Sequence, residues 1–214
     1  MKIETELYVE QVKRWPTNGN YIMANYDNES IVVYQAYKPK IAEALVKAQN
    51  FHSAECVQAG FSLNRMTWIK TNFLWMMFRC GWATKSGQER VLAIRVKLNG
   101  FDQILADSVV STHNDENDDA WKRELKASDV RLQWDPDHLP NGDRVPTNRR
   151  AIQLGLRGAM LMRFSSEFIL AIEDITEFVL TQSKQNPSAL MTPVERPYEP
   201  KSAEICKHIN LSKQ

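Results

Sequence analysis

The chain has 214 residues, of which 43% are hydrophobic and 25% charged, and its formal net charge is +1. These values are typical of one globular domain, and they exclude a disordered, fibrous or globally basic nucleic-acid-coating protein. No window is apolar enough to span a membrane and the acidic N-terminus does not resemble a signal peptide, so we expect no membrane contact and a cytoplasmic location. Cys56, Cys80 and Cys206 are widely separated. We therefore predict no disulfide framework and no metal site.

The first elements predict a strand that runs directly into a helix. Residues 4–14 have a weak helical pattern, which the turn at 16–19 ends. Residues 30–37 are β-branched and aromatic, as is typical of a central strand. Pro39 then stands at a first helical turn, and apolar residues at helical spacing continue to Ala48.

The middle of the chain predicts a short strand, a helix and a longer strand. The strand covers 65–69, and the helix covers 72–81, with Thr71 as its N-cap and Gly81 at its end. Residues 89–98 alternate apolar and polar side chains, which indicates a half-buried strand. Two short helices follow at 100–110 and 118–127, separated by an acidic loop.

The last third predicts strands at 130–134, 150–156 and 168–172 and a helix at 174–184. These elements together predict one α+β domain over residues 1–184, with a central, largely antiparallel sheet flanked by helices. The prolines at 187, 193, 197 and 200, among few large apolar residues, predict that 185–214 form a poorly ordered tail.

The segment 65–85 combines basic and aromatic side chains, and it holds three of the six tryptophans. Tryptophan stacks on bases, and arginine and lysine bind phosphate, so this composition is typical of a site for a nucleotide, a dinucleotide such as NAD, or single-stranded RNA. Its Phe and Met residues recur at helical spacing, which favours a role in the core. Arg65, Trp68 and Lys70 are left as the site candidates.

Polar side chains also stand at the ends of three predicted strands. Open α/β folds often bind ligands at strand ends, so convergence of these residues would form one polar cleft. We predict catalytic roles for Gln133 and Asp135. Substrate-binding roles are predicted for Tyr34, Gln35, Arg65, Trp68, Lys70, Arg150 and Gln153.

Two alternatives stay open at this point. Tyr34 and Gln35 also fit ordinary strand positions. Asp135, Asp137 and His138 could bind a hard metal or act as acid and base, but their composition is equally typical of a turn. The sequence lacks the glycine-rich phosphate loops, the H-E-x-x-H zinc motif and the G-x-S-x-G elbow, so those chemistries have no signature here.

Five runs in order, 31–37, 65–70, 73–79, 133–136 and 150–156, resemble the family catalogued as domain of unknown function 4291, over residues 5–182. The resemblance implies no activity, substrate or catalytic residue. In organisation alone, the chain is also similar to small ADP-ribosyltransferase-like domains, which bind NAD between two β-rich halves. The His or Arg, Tyr or Ser, and Glu triad of those enzymes has no match in this sequence.

Our leading hypothesis is an enzyme that acts on a nucleotide or an RNA-linked phosphate, with NAD as a candidate co-substrate. Arg65, Lys70 and Arg150 would grip phosphate, and Trp68 would stack on a base. The rival hypothesis is a non-catalytic RNA- or nucleotide-binding module that uses the same surface. A third is a scaffold whose tail recruits a partner.

Overall fold

A computed structural model describes residues 3–112 and 118–213. Part of the predicted acidic loop, 113–117, lies outside the described residues. The elements of the N-terminal half are β1 (Thr5–Leu7), α1 (Tyr8–Gln11), β2 (Gly19–Asn20), β3 (Ile22–Ala24), β4 (Ser30–Tyr37), α2 (Pro39–Ala48), α3 (Ala54–Gln58), β5 (Thr67–Lys70), α4 (Phe73–Cys80), β6 (Arg90–Lys97) and α5 (Leu98–Ala106).

The C-terminal half continues the same alternation of short elements. It contains β7 (Ser108–Val110), α6 (Asp119–Ala127), β8 (Val130–Pro136), β9 (Arg149–Leu156), α7 (Gly158–Arg163), a π-helical turn (Phe164–Phe168), β10 (Ile169–Asp174), α8 (Thr176–Gln182), β11 (Met191–Pro193), β12 (Arg196–Tyr198) and α9 (Ala203–His208).

One twisted sheet organises the chain, in the strand order β10-β6-β4-β5-β9-β8-β7, with β2 added alongside β9. Neighbours are antiparallel except β7 with β8 and β2 with β9, which are parallel. Two small antiparallel pairs, β1 with β11 and β3 with β12, lie apart from it. The predicted α+β class with a largely antiparallel central sheet is confirmed.

The two faces of the sheet have separate hydrophobic cores because side chains alternate along each strand. On β4, Ile31 and Val33 belong to the larger core, which also contains apolar residues of α2, α5 and α7. Val32 and Tyr34 belong to the smaller core, to which α4 contributes five residues. No described residue of β5, β8 or β9 belongs to the smaller core.

Local predictions are correct where a single strong pattern decides the element. The strand β4 and helix α2 have the predicted bounds at Ser30–Tyr37 and from Pro39 onward. The cap of α4 was assigned to the wrong residue: Asn72, not Thr71, caps the helix, since its Oδ1 accepts a hydrogen bond from Trp75 N at 2.7 Å. Gly81 ends the helix in the left-handed region, as predicted, at φ 59°.

The weak helical pattern over 4–14 is confirmed in its second half, where α1 is followed by a 3-10 helix (Val12–Arg14). Its first half is wrong: residues 5–7 form β1, because they gain backbone partners from β11, which lies far along the sequence. Residues 108–110 likewise form the parallel strand β7 instead of continuing a helix. In both places, pairing with a distant strand overrides a local pattern.

The prediction of a poorly ordered tail was also wrong. Residues 191–198 form two strands, and Leu190, Tyr198 and Ile209 are buried in the two cores. The indole of Trp134 donates to the carbonyl of Ile209 at 2.8 Å. These buried side chains and the backbone pairing of the two strands are enough to order the segment. Its prolines are tolerated because they lie in short edge strands.

Among the described residues, no helix combines the length and apolar character needed to cross a membrane.

Candidate functional site

Four of the predicted site residues lie in one row across the sheet. Tyr34 of β4 is paired with Lys70 of β5, Lys70 with Gln153 of β9, and Gln153 with Gln133 of β8. Residues directly opposite one another on paired strands share a face. The row therefore runs from the buried end under α4 to the less covered end at β8.

An open pocket lies between the ends of β4 and β5, with a volume of about 350 Å³. The two strands are paired at Tyr34 and Lys70, and beyond that pair both contribute to the pocket wall. Four predicted residues line it: Gln35, Trp68, Lys70 and Gln153. Its other lining residues are Ala36, Tyr37, Met66, Thr67, Met76, Arg79 and Gln88.

Trp68 has room for its indole because the opposite residue on β9 is Gly155. A Cβ at Gly155 would lie 3.0 Å from the Trp68 ring and 2.4 Å from the sulfur of Met66. The missing side chain thus lets both residues lie across β9 in the pocket wall. Trp68 is half-buried, so part of its ring surface stays available for stacking.

The side chain of Gln35 connects β4 to β5 by hydrogen bonds. Its Nε2 donates to Thr67 Oγ1 at 2.7 Å and to the carbonyl of Trp68 at 3.2 Å. The Tyr37 hydroxyl lies 2.9 Å from the same Thr67 oxygen. These bonds make Gln35 a rigid part of the wall, while its Oε1 is buried without a partner among the described residues.

Lys70 is the most unusual group in the pocket, because it is only 4% exposed. Its Nζ donates to the Trp68 carbonyl at 3.3 Å and lies 5.8 Å from the centre of the Trp75 ring. Within the described residues no carboxylate lies within ion-pair distance of it. Burial, and next the positive charge of Arg79, lower the pKa of Lys70 to about 8, against a weaker opposing effect of Asp135.

The side-chain amide of Gln153, which lines the pocket, connects it to the carboxylate of Asp135. Gln153 Nε2 donates to Asp135 Oδ2 at 2.6 Å and to Gln133 Oε1 at 2.7 Å. Burial raises the pKa of Asp135, and the Gln153 bond and the Lys70 charge only partly oppose that effect. Lys70 and Asp135 are both shifted toward their neutral forms, as is common in catalytic sites.

Helix α4 supplies the remaining cation. Arg79 lies in its last turn, is exposed and lines the pocket. No carboxylate of the described residues pairs with its guanidinium. The start of α4 is fixed by the C-terminal segment, since Glu195 accepts hydrogen bonds from Phe73 N at 2.6 Å and Asn72 Nδ2 at 3.0 Å.

Five predicted residues do not line the pocket. Gln133 and Asp135 are connected to it only through their hydrogen bonds with Gln153, and the other three lie elsewhere. Tyr34 is fully buried against Phe73, with its ring centre 5.7 Å from that of Phe73. Arg65 is exposed just before β5 and does not line the pocket. Arg150 lies two positions from Ile152 on β9, so strand alternation places it on the larger-core face, opposite to Gln153.

The alternative of Asp135, Asp137 and His138 acting together is not supported. Asp137 pairs with the buried guanidinium of Arg149 at 2.6 Å. His138 is stacked on Phe78, with ring centres 3.7 Å apart. No group of three metal-ligating side chains occurs among the residues that the structure describes.

Sequence reasoning missed Arg79 and Gln88 as pocket residues. A signal for Arg79 was present, because it lies four residues after Trp75 and three after Met76, on the side of α4 next to theirs. For Gln88 no signal existed, since its position depends on how the loop after α4 returns to β6.

Comparison with known protein families adds a classification to this geometry. The chain matches the model of the family described as "Domain of unknown function (DUF4291)" over residues 21–198. It belongs to this family. The DUF4291 match confirms the resemblance seen in the sequence, but it begins at residue 21 and extends through β12, so it corrects the predicted limits of 5 and 182. A search of curated proteins finds no match, and the family description gives no link to ADP-ribosyltransferases.

Proposed function

We propose that this DUF4291 protein is an enzyme that acts on a nucleotide bound between β4 and β5. The phosphate would pair with the guanidinium of Arg79, and the base would stack on Trp68. Gln35 and Gln153 would form the polar walls. The pocket volume of about 350 Å³ lies at the lower end of the range of small-molecule sites, about 300–1,000 Å³, which favours a single nucleotide unit over a strand.

The observation that carries the proposal is the charge of the pocket lining. Lys70 and Arg79 both line it, whereas none of the lining residues is acidic. Cations without counter-ions attract an anionic ligand, and a guanidinium can hold two phosphate oxygens at once. A half-buried aromatic ring beside such cations is a combination that suits a base and a phosphate.

The acid–base chemistry supports an enzyme over a binding module. Asp135, with its raised pKa, is hydrogen-bonded to Gln153, which lines the pocket. Lys70, with a pKa near 8, can hold or release a proton near neutral pH. Proton transfer at the bound nucleotide is the role that we assign to this pair.

Isothermal titration with AMP, ATP, GTP, NAD, ribose 5-phosphate and a short single-stranded RNA tests the binding step. We expect at least one mononucleotide to bind the wild-type chain and to lose ten-fold or more in affinity with Arg79→Gln. Arg65→Gln is the matched control, since Arg65 lies outside the pocket, and its affinity should equal that of the wild type. Equal losses in both variants, or no binding by any ligand, would overturn the proposal.

Mass spectrometry of the bound nucleotide after incubation separates the enzyme from the alternative. Conversion that is lost in Asp135→Asn supports the enzyme. Binding without conversion, or RNA affinity that falls steeply with salt, would support the non-catalytic RNA- or nucleotide-binding module instead. A cytoplasmic location is part of the same proposal, and cell fractionation tests it.

A further inference from the structure

We propose that Lys70 is a nucleophilic amine that forms an imine with the open-chain aldehyde of a phosphorylated sugar, such as ribose 5-phosphate. The inference rests on the proposed function, because ribose 5-phosphate is the sugar-phosphate part of a nucleotide without its base, and only in that free sugar can C1 open to an aldehyde. In the reaction, the Lys70 amine adds to the aldehyde carbon to give a carbinolamine. Loss of the hydroxyl as water then forms the C=N bond, and one water molecule is released.

The first support is the placement of the amine. Lys70 projects from β5 into the pocket wall, only 4% exposed, with its Nζ held by the Trp68 carbonyl at 3.3 Å. A lysine that merely stabilises a fold would pair with a carboxylate, since burying an unpaired ammonium is costly. Among the described residues, Lys70 has no such ion pair.

The second support is the amount of reactive amine. Only the uncharged form of an amine attacks a carbonyl. A pKa of about 8 instead of 10.5 raises the uncharged fraction of Lys70 at neutral pH about 300-fold. Lys40 on α2 is exposed to solvent and outside the pocket, so it serves as the comparison amine.

The third support is the set of neighbours that the reaction requires. Arg79 lines the same pocket and can hold the phosphate, so the aldehyde is presented to the amine. Asp135 interacts electrostatically with Lys70, and burial raises its pKa. A carboxyl group with a raised pKa is a more available proton donor for the departing hydroxyl of the carbinolamine than an ordinary aspartate.

Reductive trapping of the full-length chain tests the inference. The protein is incubated with ribose 5-phosphate and cyanoborohydride, and the adduct is located by peptide mass spectrometry. An imine that is reduced adds the mass of the phosphosugar less one oxygen atom. We expect Lys70 to be labelled at least ten-fold faster than Lys40, and unphosphorylated ribose to label Lys70 at least ten-fold more slowly than ribose 5-phosphate.

Two variants refine the test. In Arg79→Gln, labelling by ribose 5-phosphate should fall to the rate seen with ribose, and in Lys70→Arg the enriched adduct should disappear while Lys40 labelling is unchanged. Adducts spread over the exposed lysines without enrichment at Lys70 would overturn the inference. Because wild-type protein alone gives that result, misfolding of a variant cannot obscure it.

The outcomes also separate this inference from the proposed function. Mononucleotide binding that depends on Arg79, together with no Lys70 adduct, would refute the imine and leave the nucleotide pocket standing. A phosphate-dependent Lys70 adduct with no nucleotide binding would refute the nucleotide assignment and support the imine with a free phosphosugar.

Discussion

Replacing Lys70 by Met should stabilise the folded chain at neutral pH, because the wild-type residue keeps a charge in a poorly solvated position. The pKa of Lys70 is about 8 in the folded chain, against 10.5 for an ordinary lysine. Between these values the unfolded chain holds more protons than the folded chain, so the contribution of Lys70 to stability rises with pH. Methionine has a similar length and carries no charge that changes with pH.

The size of the effect follows from the same two pKa values. At pH 7 the lowered pKa of Lys70 makes the wild type less stable by about 3 kcal/mol than it would be if Lys70 kept an ordinary lysine pKa. At pH 10 the same difference is about 1 kcal/mol. The variant also loses the bond from Nζ to the Trp68 carbonyl, worth about 1 kcal/mol. We therefore expect Lys70→Met to gain about 2 kcal/mol at pH 7 and nearly nothing at pH 10.

Urea unfolding followed by tryptophan fluorescence at both pH values measures this difference. Lys40→Met is the control, since Lys40 is exposed on α2 and the substitution should change stability equally little at either pH. If Lys70→Met were less stable than the wild type at pH 7, or if its effect were the same at pH 10, the burial argument for Lys70 would be wrong. A gain at pH 7 would mean that the wild-type residue is kept at a cost in stability, as functional residues often are.

Three further predictions concern the surroundings of the pocket. Asp137→Asn should destabilise the chain by about 3–5 kcal/mol in urea unfolding, because it leaves the buried charge of Arg149 without its partner at 2.6 Å; a loss under 1 kcal/mol would contradict a buried pair. Deleting residues 185–214 should abolish cooperative thermal unfolding, because the deletion removes β11, β12 and Glu195. A 1–184 fragment that unfolds cooperatively would instead support the predicted domain limit at residue 184. Gly155→Ala should weaken mononucleotide binding at least ten-fold in titration, since the new Cβ displaces Met66 and Trp68; unchanged affinity would show that Trp68 does not contact the ligand.

The sequence predicted the sheet and part of the site for identifiable reasons. Continuous or alternating apolar runs determine β4 and β6 whatever lies around them. Trp68 and Lys70 were found because a short strand that carries both a tryptophan and a lysine needs an explanation beyond core packing. The row through Lys70, Gln153 and Gln133 follows from the strand register. The register of distant strands cannot be read from the local pattern of one sequence.

The errors arise where distant segments meet. Arg65 and Arg150 were chosen for their charge, but Arg65 lies in the bend before β5. Arg150 is on β9, where an odd number of residues from Gln153 places a side chain on the other face. The C-terminal segment was judged by its prolines and low apolar content, whereas its order depends on pairing with β1 and β3 and on the contacts of Glu195 with α4. Arg79 joins the site because α4 packs against both β4 and β5, which the local sequence pattern does not show.

A crystal structure of the full-length chain with the tightest-binding of AMP, ATP, GTP and NAD tests the central claim most directly. We expect the nucleotide between β4 and β5, with a phosphate oxygen within hydrogen-bond distance of Arg79 and the base against the Trp68 ring. A nucleotide bound at saturating concentration on another part of the surface, with this pocket holding only solvent, would contradict it.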